Sequence, residues 1–263
     1  MTTVADILKY VETLAPTYMK MDWDNVGLLC GSRETSVTKV LVALDPFEGV
    51  CREAVEWGAE LIVTHHPMIF DPLKSVTEET TVGRSIMTLC RHGISAVNAH
   101  TNLDCAPGGV NDVLAATLGL NDVETIPPFF RDDQGRQWGL LRRGRVEEQP
   151  LSQFLEVVKS SLNAEGLRYV DGGKPVRVVA VGGGHCSDEL MSAFEAGCDT
   201  FVTADIKYNE FWDAQALGMN LIDAGHFATE NPVVAVLAEK IAAAFPEVQV
   251  KISETHRDCM KFY

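Results

Sequence analysis

Two adjacent histidines stand at the end of a strongly apolar segment, in the stretch "LIVTHHPMIF". Residues 61–63 have the composition of a buried strand, yet they run directly into Thr64, His65 and His66. An apolar core disfavours polar side chains that lack hydrogen-bond partners. Neighbouring side chains of a strand point to opposite sides, so at a strand's end His65 and His66 are suited to two neighbouring metal ions rather than to one.

Other polar side chains follow apolar segments in the same way. His100 and Asp104 lie in "SAVNAHTNLD", Asp205 ends "FVTAD", and His226 and Glu230 lie in "NLIDAGHFATE". Imidazole nitrogens and carboxylate oxygens are ligands for divalent first-row metals. In open α/β sheets, ligands bind beyond the carboxyl ends of the strands. A hydrogen-bonded structural role is the alternative for any single histidine, and the number of such residues here favours a site for two ions.

The order of apolar patterns predicts an α/β fold. Apolar residues recur at helical spacing between Val4 and Leu14, which predicts an opening amphipathic helix. A turn and a short strand in "WDNVGLLCG" follow, and then three strand–helix units. Their strands are "KVLVALD", "ELIVTHHP" and "ISAVNAHTNLD", and their helices cover residues 47–58, 86–91 and 110–118. Gly93 and Gly119 are expected to end the last two helices.

The second half of the chain repeats this order. Residues 126–150 contain "PPFF", "RDDQGRQ" and "RRGRVEEQP", a composition typical of a connecting segment. After a helix and a short strand come "VRVVAVGGG", "DTFVTAD" and "MNLIDAG", each followed by a helical stretch. We therefore predict an internal duplication, with a first α/β repeat in residues 1–125 and a second in residues 126–263. C-terminal elements are expected to pack on the first repeat.

The charge of the chain argues against direct binding of nucleic acid. The net charge is −15, and a phosphate backbone is bound through clustered Lys and Arg. The basic cluster of Arg142, Arg143 and Arg145 is short and is followed at once by Glu147 and Glu148. We expect no direct nucleic-acid binding.

The sequence predicts a cytoplasmic protein. No apolar run approaches the roughly 18 residues that a membrane span requires, and Asp6 lies in the opening segment that a signal peptide keeps apolar. The seven cysteines contain no C-x-x-C pair, which argues against a disulfide framework or a structural zinc site. We expect reduced thiols, most of them buried.

Several further motifs have two readings. The glycines of "VGGGHCSDE" favour a tight turn over a phosphate cradle, because the P-loop lysine and hydroxyl are missing. For Trp23 we predict a structural turn with the side chain in the core, rather than a position in a cleft where its indole would stack on a base. His92, His185 and His256 lack polar neighbours of the kind described above, and we expect them to be structural. Pro232 predicts that "HFATE" is a loop that enters the next helix.

The segments "WDNVGLLCG", "VTHHPMIF", "NAHTNLDCAPGGVND", "TADIKY" and "LIDAGHFATE" together resemble the GTP cyclohydrolase 1 type 2 family, also called Nif-three-like dinuclear-metal-centre proteins. The resemblance covers nearly the whole chain. It implies two intertwined α-β-(βα)₃ repeats with mixed sheets, a metal cleft between them and a homohexamer of toroidal shape.

The resemblance also implies a ligand set for two divalent ions, which would be zinc, iron, manganese or nickel. His66 and Asp104 would bind one ion, His65 and His226 would bind the other, and Glu230 would bridge them. All five ligand residues are present at the matching positions.

Two further residues match positions near this centre. His100 and Asp205 are the candidate catalytic residues, which would transfer a proton or orient a ligand. Asn209 stands where many relatives have a histidine after "IKY", which weakens a catalytic role that depends on that histidine. The large insert of longer family members is absent, which indicates the compact form of the family.

The function implied is metal-dependent hydrolysis of a nucleotide-like substrate, and the family name points to the purine ring of GTP. The alternative is a metal-binding or regulatory hexamer without enzymatic activity, which senses, stores or delivers a metal. The residues themselves leave both hypotheses open.

Overall fold

The computed structural model describes residues 1–131, 133, 135 and 137–263. Residues 132, 134 and 136 belong to the predicted connecting segment and lie outside the described part of the chain. The chain divides into two compact units. The first unit contains Met1–Leu103 and Val234–Arg257, and the second contains Asp104–Val233 and Asp258–Tyr263.

Helices and strands alternate along most of the chain. The helices are α1 (Val4–Leu14), α2 (Glu48–Trp57), α3 (Thr81–His92), α4 (Thr101–Cys105), α5 (Val110–Thr117), α6 (Leu151–Ser161), α7 (Leu190–Glu195), α8 (Tyr208–Leu217), α9 (His226–Glu230) and α10 (Pro232–Ala244). The strands are β1 (Gly27–Cys30), β2 (Lys39–Ala43), β3 (Leu61–Thr64), β4 (Ser95–Asn98), β5 (Asn121–Thr125), β6 (Phe130–Arg131), β7 (Gln137–Trp138), β8 (Arg142–Gln149), β9 (Arg168–Val170), β10 (Val176–His185), β11 (Thr200–Ala204), β12 (Asn220–Asp223) and β13 (Gln249–Ile252).

The sheet of the first unit has the order β1-β4-β3-β2-β13. Strand β1 is antiparallel to β4, and the other neighbours are parallel, with Val42 opposite Val63 and Val63 opposite Val97. Strands β2, β3 and β4 are almost entirely buried, which explains their nearly continuous apolar sequences. Parallel neighbours place the carboxyl ends of these three strands at one edge of the sheet.

The sheet of the second unit has the order β5-β8-β10-β11-β12-β9. Strands β10, β11 and β12 are parallel, while β8 and β9 are antiparallel to their neighbours. Strand β8 lies inside residues 126–150, so the predicted connecting segment contributes a strand to this sheet. The expected α/β class with mixed sheets is confirmed. Each sheet has a parallel centre, of four strands in the first unit and three in the second, with an antiparallel strand beside it, which is consistent with the predicted duplication.

Local signals in the sequence explain where several helices begin and end. The Thr3 side chain accepts a hydrogen bond from the Asp6 N–H, and the Asp6 carboxylate accepts one from the Thr3 N–H, which forms a capping box at α1. Helix α3 ends at Gly93 in the left-handed conformation, as predicted. Helix α5 ends at Thr117, two residues before Gly119.

Each unit has its own apolar core. In the first unit the core lies between the sheet and helices α2 and α3, with buried Leu41, Ala54, Ile62 and Leu89. In the second unit two clusters cover the sheet, and they include buried Phe154, Val179, Phe201, Val202 and Leu221. Five cysteines are buried, whereas Cys90 and Cys259 are exposed. Within the described residues, no helix combines the length and the apolar character needed to cross a membrane.

Glu53 on α2 accepts several hydrogen bonds from the residues that follow β13. Its carboxylate accepts hydrogen bonds from Ser253 Oγ at 2.6 Å, from the Glu254 N–H at 3.0 Å and from Thr255 Oγ1 at 2.8 Å. Burial by itself raises the pKa of Glu53, but these hydrogen bonds and Lys251 outweigh it and lower the pKa to about 2. The ionised form of Glu53 therefore stabilises the first unit.

Replacing Glu53 by Gln should lower the free energy of unfolding at neutral pH by about 2 kcal/mol, because the folded state depresses this pKa. The contribution is present above the unfolded pKa and is lost as the pH falls through the folded pKa of about 2. Urea unfolding at several pH values measures it, with Glu56→Gln, an exposed position on the same helix, as control. A difference between parent and Glu53→Gln that does not shrink in acid would contradict this account.

Candidate metal centre

The first unit presents three histidines at the carboxyl ends of two neighbouring parallel strands. His65 and His66 follow β3, and His100 follows β4, with Thr64 opposite Asn98 in the register. The ring centroids are 4.9 Å apart for His65 and His66 and 5.2 Å apart for His65 and His100. One ligand nitrogen from each of the three rings lies within 4.8 Å of the other two. The structure therefore brings these three predicted site residues together.

The backbone and a neighbouring carboxylate fix the orientation of His65 and His66. His65 Nδ1 donates to the carbonyl oxygen of Ala99 at 2.9 Å, and His66 Nδ1 donates to Asp45 Oδ1 at 2.6 Å. Asp45 stands two residues after β2, at the same edge of the sheet. Because Nδ1 carries the donated proton, Nε2 is the ring atom that can bind a metal.

Asp24 holds His100 in the same tautomer. His100 Nδ1 donates to Asp24 Oδ1 at 2.7 Å, while Asp24 Oδ2 accepts from the Thr101 N–H at 3.0 Å and from the Thr101 hydroxyl. Burial raises the pKa of Asp24, but the hydrogen bonds from His100 and Thr101 outweigh it and lower the pKa to about 2. Asp24 is therefore ionised, and His100 Nε2 is free to act as a ligand or as a proton acceptor.

The second unit contributes His226 and Glu230, which lie at the two ends of α9. His226 Nδ1 donates to Asp205 Oδ2 at 2.6 Å, and His226 Nε2 lies 3.1 Å from Glu230 Oε2. Burial alone lowers the pKa of His226, but the bonds to Asp205 and Glu230 outweigh it and raise the pKa to about 11. Two carboxylates thus place negative charge on both sides of one imidazole, and such surroundings favour a bound cation.

Helix α9 corrects the prediction that "HFATE" is a loop. Pro232 is the first residue of α10, a position that tolerates proline because its N–H has no partner within the helix. Helix α9 can therefore run to Glu230 directly before it. The spacing of four residues places His226 and Glu230 on one helical face.

Asp205 occupies a strained backbone position at the end of β11. Its φ angle is 53°, in the left-handed region that residues other than glycine rarely adopt. Such a conformation costs of order 1 kcal/mol and recurs at functional sites. Here it accompanies the hydrogen bond from His226. The contact indicates that Asp205 orients His226.

The three consecutive glycines near the end of β10, residues 182–184, make room for Glu230. A Cβ atom added to Gly184 would lie 2.1 Å from Glu230 Oε1 and 3.1 Å from His226 Nε2. Gly184 also has φ +61°, and its N–H donates to Thr229 Oγ1 at 3.0 Å. The predicted tight turn is therefore wrong, because these glycines are part of β10 and permit close approach of a carboxylate.

Asp104 is the third ligand candidate of the second unit. Like Glu230 it is buried, with 6% of Asp104 and 4% of Glu230 exposed. Asn111 Nδ2 donates to the Asp104 carbonyl oxygen at 3.2 Å, and Asn111 Oδ1 accepts from the Gly183 N–H at 2.7 Å. Burial, followed by the negative charges of Asp104 and Glu230, raises the pKa of the Cys186 thiol well above its usual range. Two buried carboxylates thus act on one part of the second unit.

This donor set fits a divalent metal. His65, His66, His100 and His226 all donate Nδ1–H to an oxygen, so Nε2 is the ring atom that each could offer to a metal, and at His226 a metal would replace the proton shared with Glu230. The carboxylates of Asp104 and Glu230 are also buried, and buried carboxylates are stabilised by a cation. The residues that would hold metal in the second unit are Asp104, His226 and Glu230, and the absence of a side chain at Gly184 leaves room for His226 and Glu230.

Sequence reasoning missed Asp24 and Asp45. Asp45 follows a parallel strand just as His65 and His100 do, so the same rule about strand ends would have found it. Asp24 offered no such signal, because it lies in a turn before β1. His256 was expected to be structural, and its Nε2 donates to Asp45 Oδ2 at 2.8 Å.

Three other sequence predictions can be compared with the structure. Trp23 is 63% exposed, so its predicted position in the core is wrong. The ring of His92 donates to the Thr88 carbonyl oxygen on its own helix, which is a structural contact. Arg142 is buried and paired with Asp112, and Arg143 is paired with Glu124, so two of the three arginines of the short basic cluster are neutralised by carboxylates.

The chain is similar to known proteins over nearly its whole length. The model of the family described as Duf34/NIF3 (NGG1p interacting factor 3) matches residues 2–259. A Clostridium perfringens protein named GTP cyclohydrolase 1 type 2 homolog is 36% identical over 262 residues, which are 98% of each chain. A Streptomyces coelicolor protein of the same name is 36% identical over 240 residues, covering 88% of this chain and 83% of that one.

A solved structure has the same fold. The crystal structure of a Bacillus cereus protein related to NIF3 superposes with a TM-score of 0.91 at 27% sequence identity, and the match covers 100% of this chain and 99% of the other. The resemblance seen in the sequence is thereby confirmed. Since the family match extends over residues 2–259, the chain belongs to the Duf34/NIF3 (NGG1p interacting factor 3) family.

Proposed function

We propose that this protein binds two divalent metal ions and uses them to hydrolyse a nucleotide-like substrate. The observation that carries the proposal is the grouping of imidazole and carboxylate side chains, because ligand nitrogens of His65, His66 and His100 lie within 4.8 Å of one another and the second unit adds buried Asp104 and Glu230. Each of the four histidines that follow strand ends also donates Nδ1–H to an oxygen, as metal-ligating histidines almost always do with their second ring nitrogen. The names of the bacterial relatives support the substrate class.

The proposed ligand assignment follows the family resemblance. His66 and Asp104 would hold one ion, His65 and His226 would hold the other, and Glu230 would bridge the two. A bridging carboxylate supplies the negative charge that offsets repulsion between two cations. Mixed imidazole and carboxylate ligands suit zinc, iron, manganese or nickel, and the order of affinities favours late first-row metals.

The proposed hydrolysis divides the work between the ions and the chain. When bound, divalent ions supply Lewis acidity toward water and toward a carbonyl, imine or phosphoryl oxygen of the substrate. His100, held by ionised Asp24, would accept at Nε2 the proton that the attacking water releases and would return it to the leaving group. Asp205 keeps His226 in the tautomer that presents Nε2. These are the roles proposed for His100 and Asp205.

An exposed aromatic pair supports a substrate with a planar ring. Trp23 is 63% exposed and Phe70 is 52% exposed, and their ring centroids are 5.7 Å apart. Both rings lie edge-on to His100, with centroids 6.2 and 6.1 Å from it. A large apolar ring held open to solvent beside a polar site is suited to stack on a heteroaromatic ligand.

Hydrogen bonds hold this aromatic pair in place. Asn25 Nδ2 donates to the Ile69 carbonyl oxygen at 2.7 Å, which ties the segment of Trp23 to that of Phe70. Asn98 Nδ2 donates to the Asn25 carbonyl oxygen at 3.1 Å, which ties both to the end of β4. The faces of the rings are thus presented by a fixed backbone, which lowers the entropy cost of binding.

A second candidate function is metal binding without catalysis, in a hexamer that senses, stores or delivers the metal. Asn209 favours it, because this exposed amide stands where many relatives have a titratable histidine. The two functions share the metal site and differ in turnover. We propose the cytoplasm as the location of either.

Changing Glu230 to Gln should weaken binding of both ions about tenfold or more, because the bridging negative charge is lost while the volume is kept. Elemental analysis after dialysis against a graded series of chelator concentrations measures this, and the parent should retain two ions per chain. His92→Gln is the matched control, since His92 contacts only its own helix among the hydrogen bonds described above. Retention of both ions at parental affinity by Glu230→Gln would exclude a bridging role.

The metal-loaded protein should consume GTP catalytically and should leave inorganic tripolyphosphate, which lacks the ring, unchanged. Trp23→Leu should raise KM about tenfold with little change in kcat, because base stacking contributes on the order of 1–3 kcal/mol. Phe130→Leu is the control, since Phe130 is also exposed but stacks on Trp138 in the second unit. Metal binding without turnover of any nucleotide would favour the second candidate function.

The family resemblance leads us to propose a homohexamer. Light scattering coupled to size-exclusion chromatography should give about six times the chain mass of 28.8 kDa. A stable monomer at working concentrations would refute the hexamer.

A further inference from the structure

We propose that His256 is a positioning residue for the metal ligand His66, and that it acts through Asp45. The inference rests on the proposed metal centre and assigns part of its geometry to the C-terminal segment of the first unit. One carboxylate lies between the two imidazoles. Asp45 Oδ1 accepts from His66 Nδ1 at 2.6 Å, and Asp45 Oδ2 accepts from His256 Nε2 at 2.8 Å.

The three side chains form a sheltered chain of hydrogen bonds. The side chains of His66, Asp45 and His256 are 18%, 14% and 9% exposed. In such surroundings water competes poorly for the carboxylate, so its hydrogen bonds keep more of their strength than at the surface. The residues lie far apart in the sequence, since 211 positions separate Asp45 from His256. Only the fold brings them into contact.

The segment that carries His256 is itself firmly held. Strand β13 runs parallel to β2, with Ile252 opposite Val42. After the strand, Glu53 accepts hydrogen bonds from Ser253 and Thr255, and Ser253 Oγ accepts from the His256 N–H at 3.2 Å. The ring of Phe47 meets the His256 ring edge-on at 6.0 Å. His256 Nε2 is therefore presented to Asp45 by a fixed backbone.

The physical role of His256 follows from the two oxygens of Asp45. A carboxylate bound at one oxygen can rotate about its Cβ–Cγ bond and carry its acceptor with it. Bound at both oxygens, it has a fixed plane and a fixed acceptor direction for His66 Nδ1. The direction of His66 Nε2, the proposed ligand atom, is then fixed as well. Partners of this kind typically change metal affinity by about 10- to 100-fold.

Asp24 shows the same arrangement at His100. Its Oδ1 accepts from His100 Nδ1, and its Oδ2 accepts from Thr101, the next residue in the chain. In both cases one oxygen holds the imidazole and the other is held by a second donor. At Asp45 that second donor comes from the C-terminal segment. His256 therefore binds the second oxygen of Asp45 as Thr101 binds the second oxygen of Asp24.

Three variants of the full chain test the inference by metal affinity. Zinc or cobalt titrated in competition with a chromophoric chelator should bind about tenfold more weakly to one of the two sites in His256→Ala. His256→Gln should bind nearly as the parent does, because the glutamine amide can donate to Asp45. His92→Ala should match the parent. Equal affinity of His256→Ala and the parent would overturn the proposal.

Thermal unfolding distinguishes positioning from a purely structural role. A structural role alone predicts that His256→Ala and Glu53→Gln both lower Tm and leave metal affinity unchanged, which would refute the inference. If His256→Ala fails to fold, Asp45→Asn replaces it, since an amide cannot accept hydrogen bonds from both imidazoles. Asp45→Asn with parental metal affinity would refute the inference equally.

The tautomer of His66 in metal-free protein separates this inference from the proposed function. Imidazole ¹⁵N spectra, assigned with His66→Gln, should show a single Nδ1–H tautomer of His66 in the parent and a mixture in His256→Ala. This result would stand even if the parent bound no metal, in which case the metal centre alone would be wrong. An unchanged single tautomer in His256→Ala would overturn the positioning role.

Discussion

The proposed site depends on one repeated interaction, the hydrogen bond from histidine Nδ1 to a fixed oxygen. An imidazole offers two nitrogens, and a metal ligand must present one of them unprotonated and correctly aimed. The backbone carbonyl of Ala99 accepts the Nδ1–H of His65, and the carboxylates of Asp45, Asp24 and Asp205 accept the Nδ1–H of the other three rings. Each acceptor is fixed by the fold of its own unit, so the orientation of each imidazole is set by the protein itself.

Electrostatics supplies the second requirement of the site. Buried carboxylates are costly unless positive charge or hydrogen bonds offset them. In the second unit Asp205 and Glu230 act together on His226 and raise its pKa to about 11. A proton offsets this charge in the protein alone, and a divalent cation would offset more of it. The space beside Gly184 allows the Glu230 carboxylate to remain there, because any Cβ at that position would collide with it.

The exposed residues near His100 connect the metal site with its proposed substrate. Much of the ring surface of Trp23 and Phe70 is exposed to solvent. Burying either ring would stabilise the fold, so their exposure has a free-energy cost. Asn25 and Asn98 fix the backbone that keeps the pair beside His100. A soluble domain tolerates a few exposed rings, but a pair held against a candidate catalytic histidine is consistent with ligand recognition.

The sequence by itself determined the α/β class and the parallel strand ends, because apolar periodicity and strand-end polarity are local properties. It also identified His65, His66, His100, His226 and Glu230 as candidates. Only the tertiary structure decided which oxygen accepts the hydrogen bond from each Nδ1–H. The partners Asp45 and His256 are 211 positions apart, and the sequence pattern around neither residue indicates the other. Such contacts arise from strand order and segment packing, which local propensity does not encode.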